Sequence, residues 1–283
     1  MNDQQTQRTP RSLIVTFYGA YGRGEPGTAG GPAAPVPVAA LIRLLGALDV
    51  DPPSVRSAVS RLKRRGLLVP ARTATGAAAY GLSDDARQLL EDGDRRIFGR
   101  PAAQLSDGWV LAVFSVPEEE RHKRHLLRSR LARLGFGTAA PGVWIAPAQL
   151  YEETRHTLRR LQLDPYVDLF TGTHAGFAPT ADAVARWWDL DAVAAAHRAF
   201  LAAQEPVLRR WSPRRSVPPE AAYRDYLLAL DAWRQLPYAD PGLPSPLLPE
   251  DWPGGRAAEV FGLLHAKLHT AGARYAHELT TGA

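Results

Sequence analysis

Residues 53–66, Pro-Ser-Val-Arg-Ser-Ala-Val-Ser-Arg-Leu-Lys-Arg-Arg-Gly, hold five basic residues and no acidic one. Val55, Val59 and Leu62 recur at i, i+4 and i+7, the spacing of one helix face turned to a core. Arg56, Ser57, Ser60, Arg61 and Arg64 fall on the other face, and Gly66 is placed to stop the helix as a C′ glycine. A cationic face with small hydroxyl residues is what a major groove accepts. Arg reaches guanine edges or phosphates, and Ser allows close approach.

The segments around this helix limit what it can be part of. Leu13, Ile14, Phe17 and Tyr21 sit at helical spacing, so Leu13–Tyr21 reads as a helix. The chain before it, 1–10, reads as a disordered lead. Gly22 to Pro37 reads as a Gly/Pro-rich loop. Val38–Leu48 reads as a second helix, with Leu41, Leu44, Leu45 and Leu48 on one face. Asp49-Val-Asp-Pro-Pro is a turn, and Pro53 suits a first helical turn. Leu67–Arg72 and Ala78–Leu82, around the small-residue tip 73–77, predict a β-hairpin. Ser83 is placed to cap a further helix. Helix, helix, turn, basic helix and hairpin is the order of a winged helix-turn-helix. In that arrangement Arg64, Arg65 and Arg72 are candidates for phosphates, while Arg56, Ser57, Ser60 and Arg61 are candidates for base edges or the groove floor.

The character changes near 99–107. Trp109–Val116 predicts a buried strand, Pro117–Leu134 a charged amphipathic helix, and Gly135-Phe-Gly137 a turn. A second strand is expected over Gly142–Ala146, a helix over Tyr151–Leu161 and a strand over Tyr166–Thr173. This alternation suggests a ferredoxin-like α/β unit. Helical patterns then cover 181–210, 220–236 and 255–278, with a Pro-rich loop over 237–253. The expected fold class is α+β and multidomain: a winged-helix domain over 1–98, a central ferredoxin-like domain over 99–178 and a helical domain over 179–283.

Other motifs are weaker. Gly22-Arg-Gly-Glu-Pro-Gly27 spells a dinucleotide fingerprint, but the prolines and glycines that follow prevent the helix this motif must open. His265 and His269 stand at i, i+4, but Ala266 replaces the Glu a zinc peptidase requires, so a surface histidine pair is expected. His122 and His125 read as part of a solvated basic face. The tryptophans of the C-terminal part read as core or interface, with an aromatic-ligand pocket as the alternative.

The 283 residues contain no cysteine, which excludes disulfides, thiolate catalysis and Cys-bound zinc. A net charge of +5 favours an acidic partner without choosing among DNA, RNA, anionic lipid and anionic metabolites. A polar N-terminus and no run of 18 apolar residues predict neither signal peptide nor membrane span. A cytoplasmic location is therefore expected.

Arg11-Ser-Leu-Ile-Val-Thr-Phe-Tyr-Gly19, Val55–Leu62 and Tyr80-Gly-Leu-Ser83 resemble segments of the PaaX family, repressors of phenylacetic acid catabolism. The resemblance continues through Leu134-Gly-Phe-Gly-Thr138, Pro141-Gly-Val-Trp-Ile145, Leu236–Pro244 and Leu247–Pro253. It implies a homodimer that binds double-stranded operator DNA, needs no cofactor and is released by an aryl-CoA thioester such as phenylacetyl-CoA or another acyl-CoA. Arg121, Lys123 and Arg124, with Trp187 and Trp188, are the candidate cations and apolar slot for that effector. The segment 24–37 is longer than the family pattern. The central domain also resembles a small CRISPR-adaptation nuclease, whose first strand ends in a metal-binding acid. Here Ser115 stands near that place, and a hydroxyl alone does not hold a hard dication. The domain is therefore expected to act as scaffold and dimer interface, and the chain is not expected to be an enzyme. A metal-dependent nuclease and an RNA-binding protein are the alternatives.

Overall fold

A computed structural model describes residues 9–23, 34–99 and 103–282. Residues 1–8, most of the proposed disordered lead, and 24–33, the bulk of the Gly/Pro-rich segment and its fingerprint, lie outside the described residues. The contacts divide the chain into two compact units: Met1–Phe98 with Phe200–Trp233 and Arg256–Ala283, and Gly99–Ala199 with Arg234–Gly255.

In the first unit, Thr9 caps α1 (Pro10–Tyr21) by accepting the Ser12 amide at 3.1 Å. Pro10 occupies the first turn, where its missing N–H costs nothing. The two-residue β1 (Val36–Pro37) leads directly into α2 (Val38–Gly46), so the tail of the expected loop is ordered strand. Then follow α3 (Pro52–Arg64), β2 (Leu68–Arg72), β3 (Ala78–Leu82) and α4 (Asp84–Phe98). The strands pair in the order β1-β3-β2, all antiparallel, with Leu68 opposite Leu82 and Val36 opposite Tyr80. Ser83 Oγ accepts the Ala86 amide at 3.2 Å and starts α4, as its position predicts. Leu13, Ile14, Phe17, Leu41, Leu44, Leu45, Val55, Val59 and Leu62 form one buried cluster beneath this sheet.

The second unit runs β4 (Trp109–Phe114), α5 (Arg121–Leu134), β5 (Gly137–Ala140), β6 (Val143–Pro147), α6 (Tyr151–Arg160), β7 (Val167–Gly172) and α7 (Thr180–Trp187). The sheet order is β5-β6-β4-β7, antiparallel throughout. The β5 strand was not expected. Gly135, at φ 91, does end α5, but Gly137 begins a strand rather than completing a turn. Gly-Thr-Ala-Ala has little intrinsic strand preference; packing supplies what propensity lacks. A Cβ on Gly137 would meet the Trp187 carbonyl oxygen at 2.6 Å and the Trp188 ring at 2.7 Å, so only glycine admits this approach. Gly142, at φ 78, then closes the Pro141-Gly142 turn into β6.

The C-terminal helical patterns resolve into α8 (Leu190–Trp211), α9 (Pro219–Trp233), the short α10 (Leu236–Ala239) and α11 (Gly254–Thr281). They do not group as one body over 179–283. Most of α9 and α11 joins the first unit: Tyr223, Leu227 and Ala276 belong to the same buried cluster as α1, α2 and α3. Asp231, fully buried on α9, accepts Ser12 Oγ at 2.5 Å and Thr16 Oγ1 at 2.7 Å from α1. Polar clamps of this kind are invisible in a reading of single helices.

Candidate nucleic-acid interface

The candidate interface is assembled from the turn between α2 and α3, the outer face of α3 and the β2–β3 hairpin. Asp49 takes the left-handed conformation at φ 63, and the Val50 amide reaches back to the Leu45 carbonyl at 3.1 Å. Together with Asp49 N–H bonded to the Gly46 carbonyl at 3.0 Å, this is a Schellman closure with Asp in place of glycine. The Arg224 side chain on α9 holds the turn: it donates to the Ala47 carbonyl at 2.9 Å and to both Asp49 oxygens. That guanidinium keeps the Asp49 carboxyl below its ordinary pKa. Asp51 then caps α3 by accepting the Ser54 amide at 2.9 Å, and hydrogen bonds from Ser54 lower its pKa as well. Pro52 and Pro53 occupy the first turn. At the other end Gly66, at φ 69, donates to the Lys63 carbonyl at 2.9 Å while Leu67 donates to Leu62 at 3.0 Å, a second Schellman closure.

Between these ends Val55, Ala58, Val59 and Leu62 are buried. Arg56, Ser57, Ser60, Arg61, Arg64 and Arg65 are all exposed. At 3.6 residues per turn, Ser57, Ser60 and Arg64 occupy the middle of the outer face, with Arg56 and Lys63 along one flank and Arg61 along the other. Among the described residues, none of Arg56, Arg61, Lys63, Arg64 and Arg65 has an ion pair or a side-chain hydrogen bond. Unpaired like charges on one small surface create a positive potential that an anionic partner relieves. Arg72 is exposed at the end of β2 and donates to the Gly76 carbonyl at 2.8 Å across the hairpin tip. Lys63 was absent from the candidates read from sequence, although it is as exposed as its neighbours; its place on the flank was legible from helical spacing. Arg224 was also absent, and no sequence signal links it to a turn 175 positions away.

The effector candidates do not converge. Trp188 is a core residue: its indole N–H donates to the Gly135 carbonyl at 3.0 Å, and it packs with Trp109, Ile145 and Val184. Trp187 is half-buried against Trp109, 5.6 Å between ring centroids. These residues lie at the start of β4. Lys123 donates to Glu120 and to the Tyr166 hydroxyl, and Arg124 donates to the Val116 carbonyl at 2.7 Å, both beside the end of β4. About 17 Å of strand separates the two groups. Arg121 is exposed at the first turn of α5.

The histidine pair of α11 requires correction. His265 and His269 are half-buried rather than on a solvated surface. Their rings stack at 4.9 Å, Tyr226 Oη lies 2.8 Å from His265 Nδ1, and Tyr21 stacks on His269 at 5.4 Å. Burial lowers both pKa values, reinforced for His265 by the neighbouring His269. The i, i+4 spacing placed both on one face but not which way that face turned. Ser115 follows β4, exposed, and its amide donates to the Tyr166 carbonyl at 3.2 Å.

Three family descriptions match in order along the chain: PaaX-like protein over residues 9–86, PaaX protein central Cas2-like domain over 102–184, and PaaX-like protein C-terminal domain over 188–278. The chain belongs to the PaaX family. It is 24% identical over 276 residues to the transcriptional repressor PaaX of Escherichia coli (strain K12), covering 94% of this chain and 83% of that protein. A solved structure of an uncharacterized protein from Mycobacterium tuberculosis superposes with a TM-score of 0.59 at 22% identity, covering 96% of this chain and 98% of the other. That likeness shows the shared fold. No helix among the described residues is long and apolar enough to cross a membrane.

Proposed function

We propose that this chain is a transcriptional repressor that binds operator DNA through α3. The observation that carries the reading is the outer face of α3: exposed arginines and serines with no partner among the described residues, on a helix fixed at both ends. The name of the Escherichia coli relative, transcriptional repressor, supports it. In this reading α2, α3 and the β2–β3 hairpin are a winged helix-turn-helix. Arg56, Ser57, Ser60 and Arg61 face base edges, and Arg64, Arg65 and Arg72 meet phosphates. The second unit, with its β-α-β-β-α-β order, is a ferredoxin-like scaffold that supports a homodimer. A dimer places two copies of α3 about 34–36 Å apart, or a multiple of that, on a near-palindromic operator. The genes controlled are those of phenylacetic acid catabolism, and the inducer is an aryl-CoA thioester such as phenylacetyl-CoA. Resemblance to the PaaX family supports the inducer's class.

The test is a mobility-shift assay on the DNA upstream of the chain's own gene, repeated across salt concentrations and a panel of acyl-CoA esters. Binding that weakens steeply with salt and is lost with one ester supports the reading. Failure to bind any duplex segment of that region sinks it. Equal competition by structured RNA points to an RNA-binding role instead.

A further inference from the structure

The turn that sets the start of α3 is gripped from α9 by one side chain. A helix that closes in a Schellman motif usually carries glycine at the left-handed position, because a Cβ there is strained. Here that position is Asp49, at φ 63, and its carboxylate has a partner that glycine would lack. One guanidinium nitrogen of Arg224 donates to the Ala47 carbonyl at 2.9 Å and to Asp49 Oδ1 at 3.2 Å, and the other donates to Asp49 Oδ2. The same fork satisfies a carbonyl at the end of α2 and holds the turn bidentately. Asp51 then caps α3, so only Val50 separates the grip from the cap. A displaced Asp49 therefore moves the start of α3.

The platform behind the fork is fixed. Tyr223 and Leu227, on either side of Arg224, are buried with residues of α1, α2 and α3. Asp231, two turns along α9, accepts Ser12 and Thr16 of α1. Asp225 accepts Arg210 at 2.5 Å and the Trp211 indole N–H at 2.6 Å from α8. The Arg224 and Asp49 side chains are 42% and 74% exposed, and a pair so exposed adds little to overall stability. Placement is another matter. Bidentate contacts to base edges need side chains held within about 0.5 Å, whereas attraction to the phosphate backbone is independent of sequence.

We propose that Arg224 is a positioning residue for sequence reading: from α9 it fixes the α2–α3 turn, and so sets where Arg56, Ser57, Ser60 and Arg61 lie, without itself touching DNA. This goes beyond the repressor reading by giving a C-terminal helix a part in discriminating one duplex from another. It rests on that reading for the entry of α3 into the groove.

The experiment titrates the full chain with two labelled duplexes: the upstream segment that binds in the mobility-shift assay, and a scrambled version of it. Arg224→Ala should weaken binding to the first about tenfold, the size of one lost base-edge contact. Binding to the scrambled duplex should stay within about twofold, with its salt slope unchanged, because every phosphate contact remains. Asp49→Gly accepts the left-handed turn without a grip, so Arg224→Ala added to it should cost about threefold or less. Equal weakening of both duplexes is what a merely structural role produces, and it overturns the proposal. The same tenfold cost in the Asp49→Gly background overturns it as well. A salt slope lowered by about one makes Arg224 a phosphate contact and also overturns it. Circular dichroism checks that each variant is folded, and Arg224→Lys serves if Arg224→Ala is not, since it keeps the charge and loses the fork. Amide hydrogen exchange needs no DNA. Arg224→Ala should speed exchange at Asp49 and Val50 and leave Val59, on the buried face of α3, as it was; unchanged exchange at the turn overturns the proposal. Failure of the wild type to bind any duplex sinks the reading of α3 and the link to DNA with it, while the exchange arm separately decides whether Arg224 fixes the turn.

Discussion

The two arginine-rich helices, α3 and α5, resemble each other in composition and differ in what their cations do. The α3 helix presents its charges outward with no partner among the described residues. On α5, Lys123 is held by Glu120 and by the Tyr166 hydroxyl, 4.6 Å from that ring's centroid to the ammonium. Arg124 is tied to Glu118 and to the Val116 carbonyl. The difference begins in the flanking sequence. Three acids, Glu118–Glu120, precede α5 and collect at its start, where the helix dipole favours them. The start of α3 is two prolines and one capping Asp, whose carboxylate is occupied by Ser54. Arginine density alone does not mark a nucleic-acid surface. The placement of nearby acids decides whether those cations remain available.

The comparison breaks most directly by removing cations from each helix in turn. Arg56→Ala combined with Arg61→Ala should weaken operator binding by about 2–6 kcal/mol, summing two base-edge contacts of about 1–3 kcal/mol each. Arg121→Ala combined with Arg124→Ala should change operator affinity by less than about threefold, since Arg124 is already engaged by Glu118 and the Val116 carbonyl and neither residue lies on α3. Equal losses in the two double variants, measured by titration of the same labelled duplex, would erase the distinction.

A smaller effect sharpens the same contrast through the helix ends. Gly66 and Gly135 each follow one of these helices at positive φ, 69 and 91. Alanine at either position should cost about 1–2 kcal/mol of stability from the left-handed backbone alone. Nothing lies within 4 Å of a Cβ at Gly66, so the cost there is conformational. Gly66→Ala should also weaken operator binding, because it disturbs the end of α3 that carries Arg64 and Arg65. Gly135→Ala should not. Urea unfolding beside duplex titration separates the two outcomes.

Histidines give the third contrast. His265 and His269 have pKa values held below 6.5 by burial, whereas His122 and His125 are exposed on α5. The unfolded chain binds protons at the α11 pair that the folded chain resists. Their contribution to stability is therefore fully present above about pH 6.5 and is lost as pH falls from there through the depressed folded values. Stability should decline from pH 7 to pH 5. Replacing both α11 histidines by glutamine should flatten that decline, as read by urea unfolding at each pH.

Much of the first unit is legible in the sequence. The apolar spacings of α1, α2 and α3, Gly66 as a stop, Ser83 as a cap and the hairpin strands all follow from local rules that depend on residues within one or two turns. What is not legible depends on residues far apart. The strand β5 exists because Gly137 admits Trp188, fifty-one positions on, and nothing in Gly-Thr-Ala-Ala announces it. The division of the C-terminal helices follows from Asp231 reaching Ser12 and Thr16, and Arg224 reaching Asp49. The effector candidates fail to meet for the same reason: chemistry pairs cations with tryptophans, but only the sheet reveals that a whole strand lies between them.

The smallest effect tests the flank of α3 that carries Lys63. This lysine is exposed, unpaired among the described residues, and beside Arg56 on the helix surface. A lysine there, one to two turns from the N-terminal residues proposed to face base edges, is suited to a phosphate rather than a base edge, as a point charge on a flexible stem. Each phosphate neutralised on duplex DNA releases close to one condensed counterion, so losing that contact lowers the slope of log affinity against log salt by about 1. Lys63→Ala should therefore weaken operator and unrelated duplex alike and reduce the salt slope by about one unit. Arg128→Ala, which removes an exposed α5 charge, should leave the slope unchanged. A Lys63→Ala loss confined to the operator, with the slope preserved, would mean that this flank reads sequence and that the assignment of base contacts to Arg56 and Arg61 must be redrawn.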